Sequence, residues 1–214
     1  MNVKSNKLID FVSDSKVFII VYFIFIILVS FLIAYWGKIN VHLYINQHFT
    51  SLFADLFFKY ATFLGDGIFA ALFLIVLLLK DKKWVLEFGI AWLLLTIIVQ
   101  LMKRVIFKDI DRPGAIIGYE NLHLVEGVKL HLHNSFPSGH TATAFAIFLF
   151  LTMKIKSVFW QLVFAILAIT VAFSRVYLSQ HFVTDVLFGS IIGFLSTFFA
   201  VYLIERKINN KDEG

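Results

Sequence analysis

The sequence predicts an all-α membrane protein: a six-transmembrane-helix bundle with a surface amphipathic helix and an extracytoplasmic loop between the third and fourth spans. Three observations lead there. Of 214 residues, 60% are hydrophobic and only 15% charged, too little polar surface for a water-soluble domain of this length. Uncharged apolar runs recur, several of them near the roughly 20 residues a helix needs to cross a bilayer. Short lysine-bearing turns separate the runs, and no repeat or low-complexity tract interrupts them, so residues 1–214 read as one domain. The 19 basic and 14 acidic residues leave +5; in a membrane protein that excess reports topology first, and no nucleic-acid partner is inferred. Cysteine is absent, which removes disulfides, thiolate metal ligands and cysteine nucleophiles.

In chain order, Met1 to Lys16 is polar, and Val17 to Tyr35 is the first span, ending at the interfacial pair Tyr35-Trp36. It is too long for a signal-peptide core and lacks a small-residue cleavage site, so it reads as retained. From His48 to Leu64, residues Phe49, Leu52, Phe53, Leu56, Phe57, Tyr60 and Phe63 fall at helical spacing on one stripe, the pattern of a helix lying on a membrane surface. Leu64-Gly65-Asp66-Gly67 punctuates the chain before the second span, Ile68 to Leu79. Lys80 to Lys83 is a charged turn, and Trp84 to Met102 is the third span. Lys103 to Asn134 is the longest polar loop, with a small hairpin expected around Glu126-Gly127. The fourth span starts at Ser138, the fifth covers Val158 to Phe173, and the sixth runs from Phe182 to Ile204 with Gly189 and Gly193 spaced for close helix approach. A charged tail, Glu205 to Gly214, is expected to fray.

Six spans put both termini on one side. That side carries Lys4, Lys7, Lys16, Lys80, Lys82, Lys83, Lys154, Lys156, Arg206, Lys207 and Lys211, as expected of a cytoplasmic face. The other side also holds basic residues, Lys103, Arg104, Lys108, Arg112, Lys129 and Arg175, against that trend. They need another job.

Three motifs share that second face. In Ser135-Phe136-Pro137-Ser138-Gly139-His140-Thr141, Pro137 stops what precedes and Ser138 is suited to cap a helix. The free N–H groups of that first turn favour an anion, and Gly139 lets it come close; His140 then gives or takes a proton near neutral pH. In the second motif, His181 and Asp185 are four apart at a helix start, hence on one face. The carboxylate can hold one ring nitrogen and free the other as a nucleophile or base. The third is Lys103 through Arg112-Pro113, where a span leaves the membrane. Two imidazoles with fixed cations are equipment for phosphoryl transfer, where catalysis is mostly positioning and charge stabilisation.

These residues carry a resemblance. Pro137-Ser138-Gly139-His140, and Ser174-Arg175 followed by five residues, His181, three residues and Asp185, resemble the second and third signature motifs of the type 2 phosphatidic acid phosphatase superfamily, which includes membrane lipid phosphatases and soluble vanadium haloperoxidases. The six-span plan is similar to the membrane branch. The family's first motif is a lysine, six residues, then Arg-Pro; here that spacing lands on Val105, and Lys103 is taken for the role over Arg104 or Lys108. The resemblance implies His181, His140 and Asp185 as catalytic residues and Lys103, Arg112, Ser138, Gly139 and Arg175 as phosphate ligands, with no metal and no cofactor. It implies a lipid phosphate substrate drawn from the bilayer, a phosphohistidine intermediate, and a site on the outer face of a bacterial inner membrane. Undecaprenyl diphosphate is placed first, ahead of phosphatidylglycerophosphate, phosphatidate and lipid A phosphates; transfer to another acceptor is the rival within the same chemistry. Oligomeric state is not legible. A transporter would want charges near the bilayer midplane, where these spans have almost none. His123, His131 and His133 lack partners at metal-ligand spacing. Asp66 is a further candidate for approach to the site.

Overall fold

The computed structural model describes residues 12–212, with side chains described through Lys207. Lys4, Lys7, Lys211 and the end of the charged tail therefore lie outside the described residues or side chains. Helix α1 spans Lys16–His48 in two stretches joined at Gly37, whose φ 75° and ψ 156° are not helical; the expected first span, ending at Tyr35-Trp36, stops at this break, and further helical turns follow it. Gly37 sits at φ 75°, where glycine pays no Cβ penalty. The added turns bury His42 and Asn46 beside the functional end of the bundle.

Helix α2, Leu52–Ala61, is capped by Ser51, whose side chain accepts from the Ala54 amide. Its stripe faces outward, Leu52 and Phe53 being 77% and 78% exposed, while Phe58 packs on Phe173 and Tyr177. This is the amphipathic segment the spacing predicts. A 3-10 turn, Thr62–Gly65, and a 53° bend lead into α3, Gly67–Leu78. Twelve residues rise only about 18 Å, too short to cross alone.

Helix α4, Lys82–Leu101, continues as a π-helical turn over Met102–Ile106. After α5, Pro113–Ile117, the chain is irregular to Ser138 apart from a 3-10 turn at Tyr119–Asn121. The expected hairpin around Glu126-Gly127 does not form. The backbone groups of this loop are bonded to other elements instead: Leu132 O accepts from Arg112 N at 2.7 Å, and Ser135 N donates to Ile110 O at 2.9 Å. Glu126 O and Lys129 O accept from the side chains of Lys59 and Gln180. With its polar groups satisfied elsewhere, the loop has no need of a ladder.

Helices α6, Gly139–Ile155, α7, Val158–Tyr177, and α8, Val183–Asp212, complete the bundle. Every residue of α6 from Thr141 to Phe150 is buried, as expected of a helix apolar all round. It lies among α4, α7 and α8, with Phe18 and Tyr22 of α1 against Phe145. A Cβ on Gly189 or Gly193 would strike the carbonyls of Ser138 and Ala142, so the two glycines bring α8 against the start of α6. Among the described residues, four helices are long and apolar enough to cross a membrane, and the bent α2–α3 pair would make a fifth. Helix α6, the expected fourth span, has 17 residues, a rise of roughly 26 Å.

Candidate active site

The end of the bundle where α4 and α7 finish and α6 and α8 begin encloses a cavity of about 520 Å³. Its wall includes Lys103, Arg112, Gly139, His140, Arg175 and His181. Residues scattered over 79 positions of sequence thus share one pocket, and both imidazoles open into it.

His181 is placed by the way α7 ends. Ser179 takes a left-handed φ of 52°, and the amides of Gln180 and His181 both donate to Arg175 O, at 3.0 and 3.1 Å. The chain reverses in one tight turn and leaves His181 just ahead of α8. Asp185, in the first turn of α8, lies 3.4 Å from His181 Nδ1 through Oδ2. The same oxygen accepts from Ser135 Oγ at 2.5 Å and Phe182 N at 3.0 Å, and Oδ1 accepts from Thr184 Oγ1 at 3.2 Å. A carboxylate only 1% exposed is tolerable because these donors replace its water. Burial, followed by the charges of Lys103, Arg112 and Arg175, holds the His181 imidazole well below its ordinary pKa. The ring is therefore neutral at pH 7, with Nε2 left over once Nδ1 faces Asp185.

His140, second residue of α6, lies 3.4 Å through Nε2 from Asp66 Oδ2. Asp66 also caps α3, its Oδ1 accepting from Ile68 N at 2.8 Å. Gly65 lets this corner approach: a Cβ there would meet the His140 carbonyl. The site thus holds two imidazole–carboxylate pairs, on opposite motifs.

The cations are positioned by backbone carbonyls. Arg112 donates through Nε to His133 O (3.0 Å) and through Nη1 to Gln180 O (2.9 Å). Arg175, on the last turn of α7, donates through Nη1 to Thr62 Oγ1 at 2.7 Å, while its buried Nε has no partner among the described residues. An orphaned guanidinium N–H beside the cavity is the donor an anion would satisfy. Lys103 Nζ reaches Asn134 O at 3.2 Å. It belongs to the π-helical turn, which shifts the register of the α4 exit; Val105, at the family's usual spacing, is 66% exposed and points away.

Gly139 lines the cavity; Ser138 does not. Ser138 is fully buried, its Oγ accepting from Thr141 N and Thr141 Oγ1, and its amide donates to Asp185 O at 2.9 Å. Its side chain therefore caps α6, as the sequence reading expects, and its amide ties the motif of His140 to that of His181 and Asp185. The three loop histidines go to different places: His123 to Asp55 (2.9 Å), His133 to Asp111 (2.6 Å), and His131 to the cavity wall. Thr62 and Gln180 carry no signal by which the sequence could have marked them, and Ser135 stands in the motif of His140 with nothing to show that it meets Asp185. Asp66 was marked only by its place between two glycines.

An all-α bundle with this cavity defines a class. Residues 84–209 match the PAP2 superfamily, more than half of the chain, and the chain belongs to that superfamily. Over 85 residues it is 42% identical to phosphatidylglycerophosphatase B of Bacillus subtilis (strain 168), a match covering 35% of this chain and 40% of that protein. Its fold is similar to the crystal structure of Aquifex aeolicus LpxE, with a TM-score of 0.67 and 26% identity over 77% of this chain and 94% of that one.

Proposed function

We propose that this chain is a membrane lipid phosphatase that removes a terminal phosphate through a phosphohistidine on His181. The observation that carries the reading is the convergence of His140, His181 and three buried or half-buried cations on one cavity. His181 Nε2 attacks phosphorus in line as the bond to the lipid oxygen breaks, and Asp185 steadies the charge that develops on the ring. His140 gives its proton to the departing oxygen, with Asp66 Oδ2 3.4 Å from its Nε2. His140 then takes a proton from water, whose oxygen displaces His181 and frees phosphate. Lys103, Arg112, Arg175 and the amides at Gly139 grip the non-bridging oxygens, supplying the charge a metal ion would otherwise bring. Ser138 serves by capping the helix that carries His140.

The chain crosses the membrane six times in this reading, with α6 and the α2–α3 pair each counted once, and all of residues 1–214 act as one domain. Lys83, Lys154 and Lys156 lie at the end away from the cavity, where Lys154 pairs with buried Glu87 at 2.5 Å and Lys156 with Asp14. By the positive-inside rule that end, with both termini, is cytoplasmic, and the cavity opens on the outer face of a bacterial plasma membrane. Exposed Phe63 and the α4 residue Val99 give the cavity an apolar edge, suited to a lipid whose tail stays in the bilayer. Undecaprenyl diphosphate is the substrate we place first, since an outward site fits recycling of a lipid carrier. Phosphatidylglycerophosphate is the second, favoured by the 42% identity to phosphatidylglycerophosphatase B. Phosphate release from these two, phosphatidate and a lipid A phosphate, with and without an added acceptor, tests the reading. His181→Ala and His140→Ala should each abolish release from the best substrate in a folded protein; near-normal rates in either would overturn it.

A further inference from the structure

The cavity is larger and more basic than one phosphate requires. Beyond the catalytic cations its wall includes Lys59 of α2 and, from the loop, Gly127, Lys129 and His131. This outer rim is built onto the site. Lys59 Nζ donates to Glu126 O at 2.7 Å, and Gln180 Nε2, from the turn that carries His181, donates to Lys129 O at 3.0 Å. Gly127, at φ 73°, lies so close to Lys59 that a Cβ would stand 2.8 Å from its Nζ. Yet among the described residues no carboxylate pairs with this rim. No acidic side chain lines the cavity, and among the described residues none of Lys59, Lys103, Arg112, Lys129 or Arg175 forms an ion pair. His131 feels this: burial first, then Arg112, Lys129, Arg175 and Lys103, lower its pKa. A phosphate monoester brings roughly two negative charges, which the inner cations match alone. The outer ones remain to be neutralised.

We propose that Lys59, Lys129 and His131 form a second anion subsite that takes the phosphate adjacent to the scissile one. It rests on the phosphatase reading and adds a substrate class: lipids bearing two phosphates, whether as a diphosphate or as a phosphomonoester joined to a phosphodiester, are preferred over lipids bearing one. Selection comes from charge, because the second phosphate fills a rim that a single phosphate leaves repelling itself.

The test compares kcat/KM for two pairs in detergent micelles: farnesyl diphosphate against farnesyl monophosphate, and phosphatidylglycerophosphate against phosphatidate. The wild type should favour the two-phosphate member, and Lys129→Gln should shrink that preference by about tenfold, the weight of one charge-assisted contact. His131→Gln should act in the same direction. Lys156→Gln, at the other end of the bundle, should change neither rate. The pair that loses its preference shows whether the second phosphate belongs to a diphosphate or a diester. Inorganic pyrophosphate should raise the thermal midpoint of the wild type more than orthophosphate does, and Lys129→Gln should erase the difference. Equal losses on both members of each pair would overturn the subsite and leave the phosphatase standing. If no lipid is hydrolysed, the phosphatase reading falls and the pyrophosphate comparison alone judges the subsite.

Discussion

Asp66 separates two roles that a single substitution can tease apart. Its Oδ1 caps α3 and its Oδ2 lies 3.4 Å from His140 Nε2. Asparagine caps a helix as well as aspartate does, so Asp66→Asn keeps the first role and removes the charge from the second. At 3.4 Å and an effective dielectric of about 20, unit charges attract by roughly 5 kcal/mol. Both side chains are about a third exposed (30% and 32%), and solvent screening reduces this to ~1–2 kcal/mol. The expected loss in kcat is therefore about 5- to 30-fold, with KM nearly unchanged because Asp66 does not line the phosphate cavity. Asp66→Glu should restore part of the rate, and Asp66→Ala should lose the cap as well, costing about 1 kcal/mol of stability. Steady-state kinetics on the best lipid substrate, with thermal unfolding in the same detergent, reads both. Full kcat in a well-folded Asp66→Asn protein would refute the pairing of Asp66 with the acid.

Lys103→Ala should cut kcat/KM by ~10²–10³-fold, the scale of one oxyanion donor, while Arg104→Ala, on the exposed side of the same turn, should stay within about twofold. Gly189→Ala should cost ~1–3 kcal/mol in thermal unfolding, because its methyl meets the Ser138 carbonyl, and should lower activity by displacing the start of α6. His181 binds a proton less readily folded than unfolded. Stability should therefore fall as pH drops below about 6.5, by up to ~1.4 kcal/mol per pH unit, and His181→Gln should flatten that slope in denaturation series from pH 7 to pH 5.

The candidate catalytic residues were legible because their constraints are local. His181 and Asp185 must be one helical turn apart, and Ser138-Gly139-His140 must sit where a helix begins; both are spacings a one-dimensional string can hold. The apolar runs were legible for the same reason, since a bilayer imposes length and hydropathy on each helix separately. Where the reading failed, the deciding partner was distant. The hairpin is absent because its carbonyls are claimed by Lys59, Gln180 and Arg112. Only the fold could show that Lys103, and neither Arg104 nor Lys108, lines the cavity, since a π-helical turn changes which residues face inward without changing composition. Only the fold could join Asp66 to His140, Thr62 to Arg175 and Ser135 to Asp185. Sequence spacing determines what one helix presents; which side chain on another element completes it is set by packing, through glycines such as Gly65 and Gly189 that let the backbones touch.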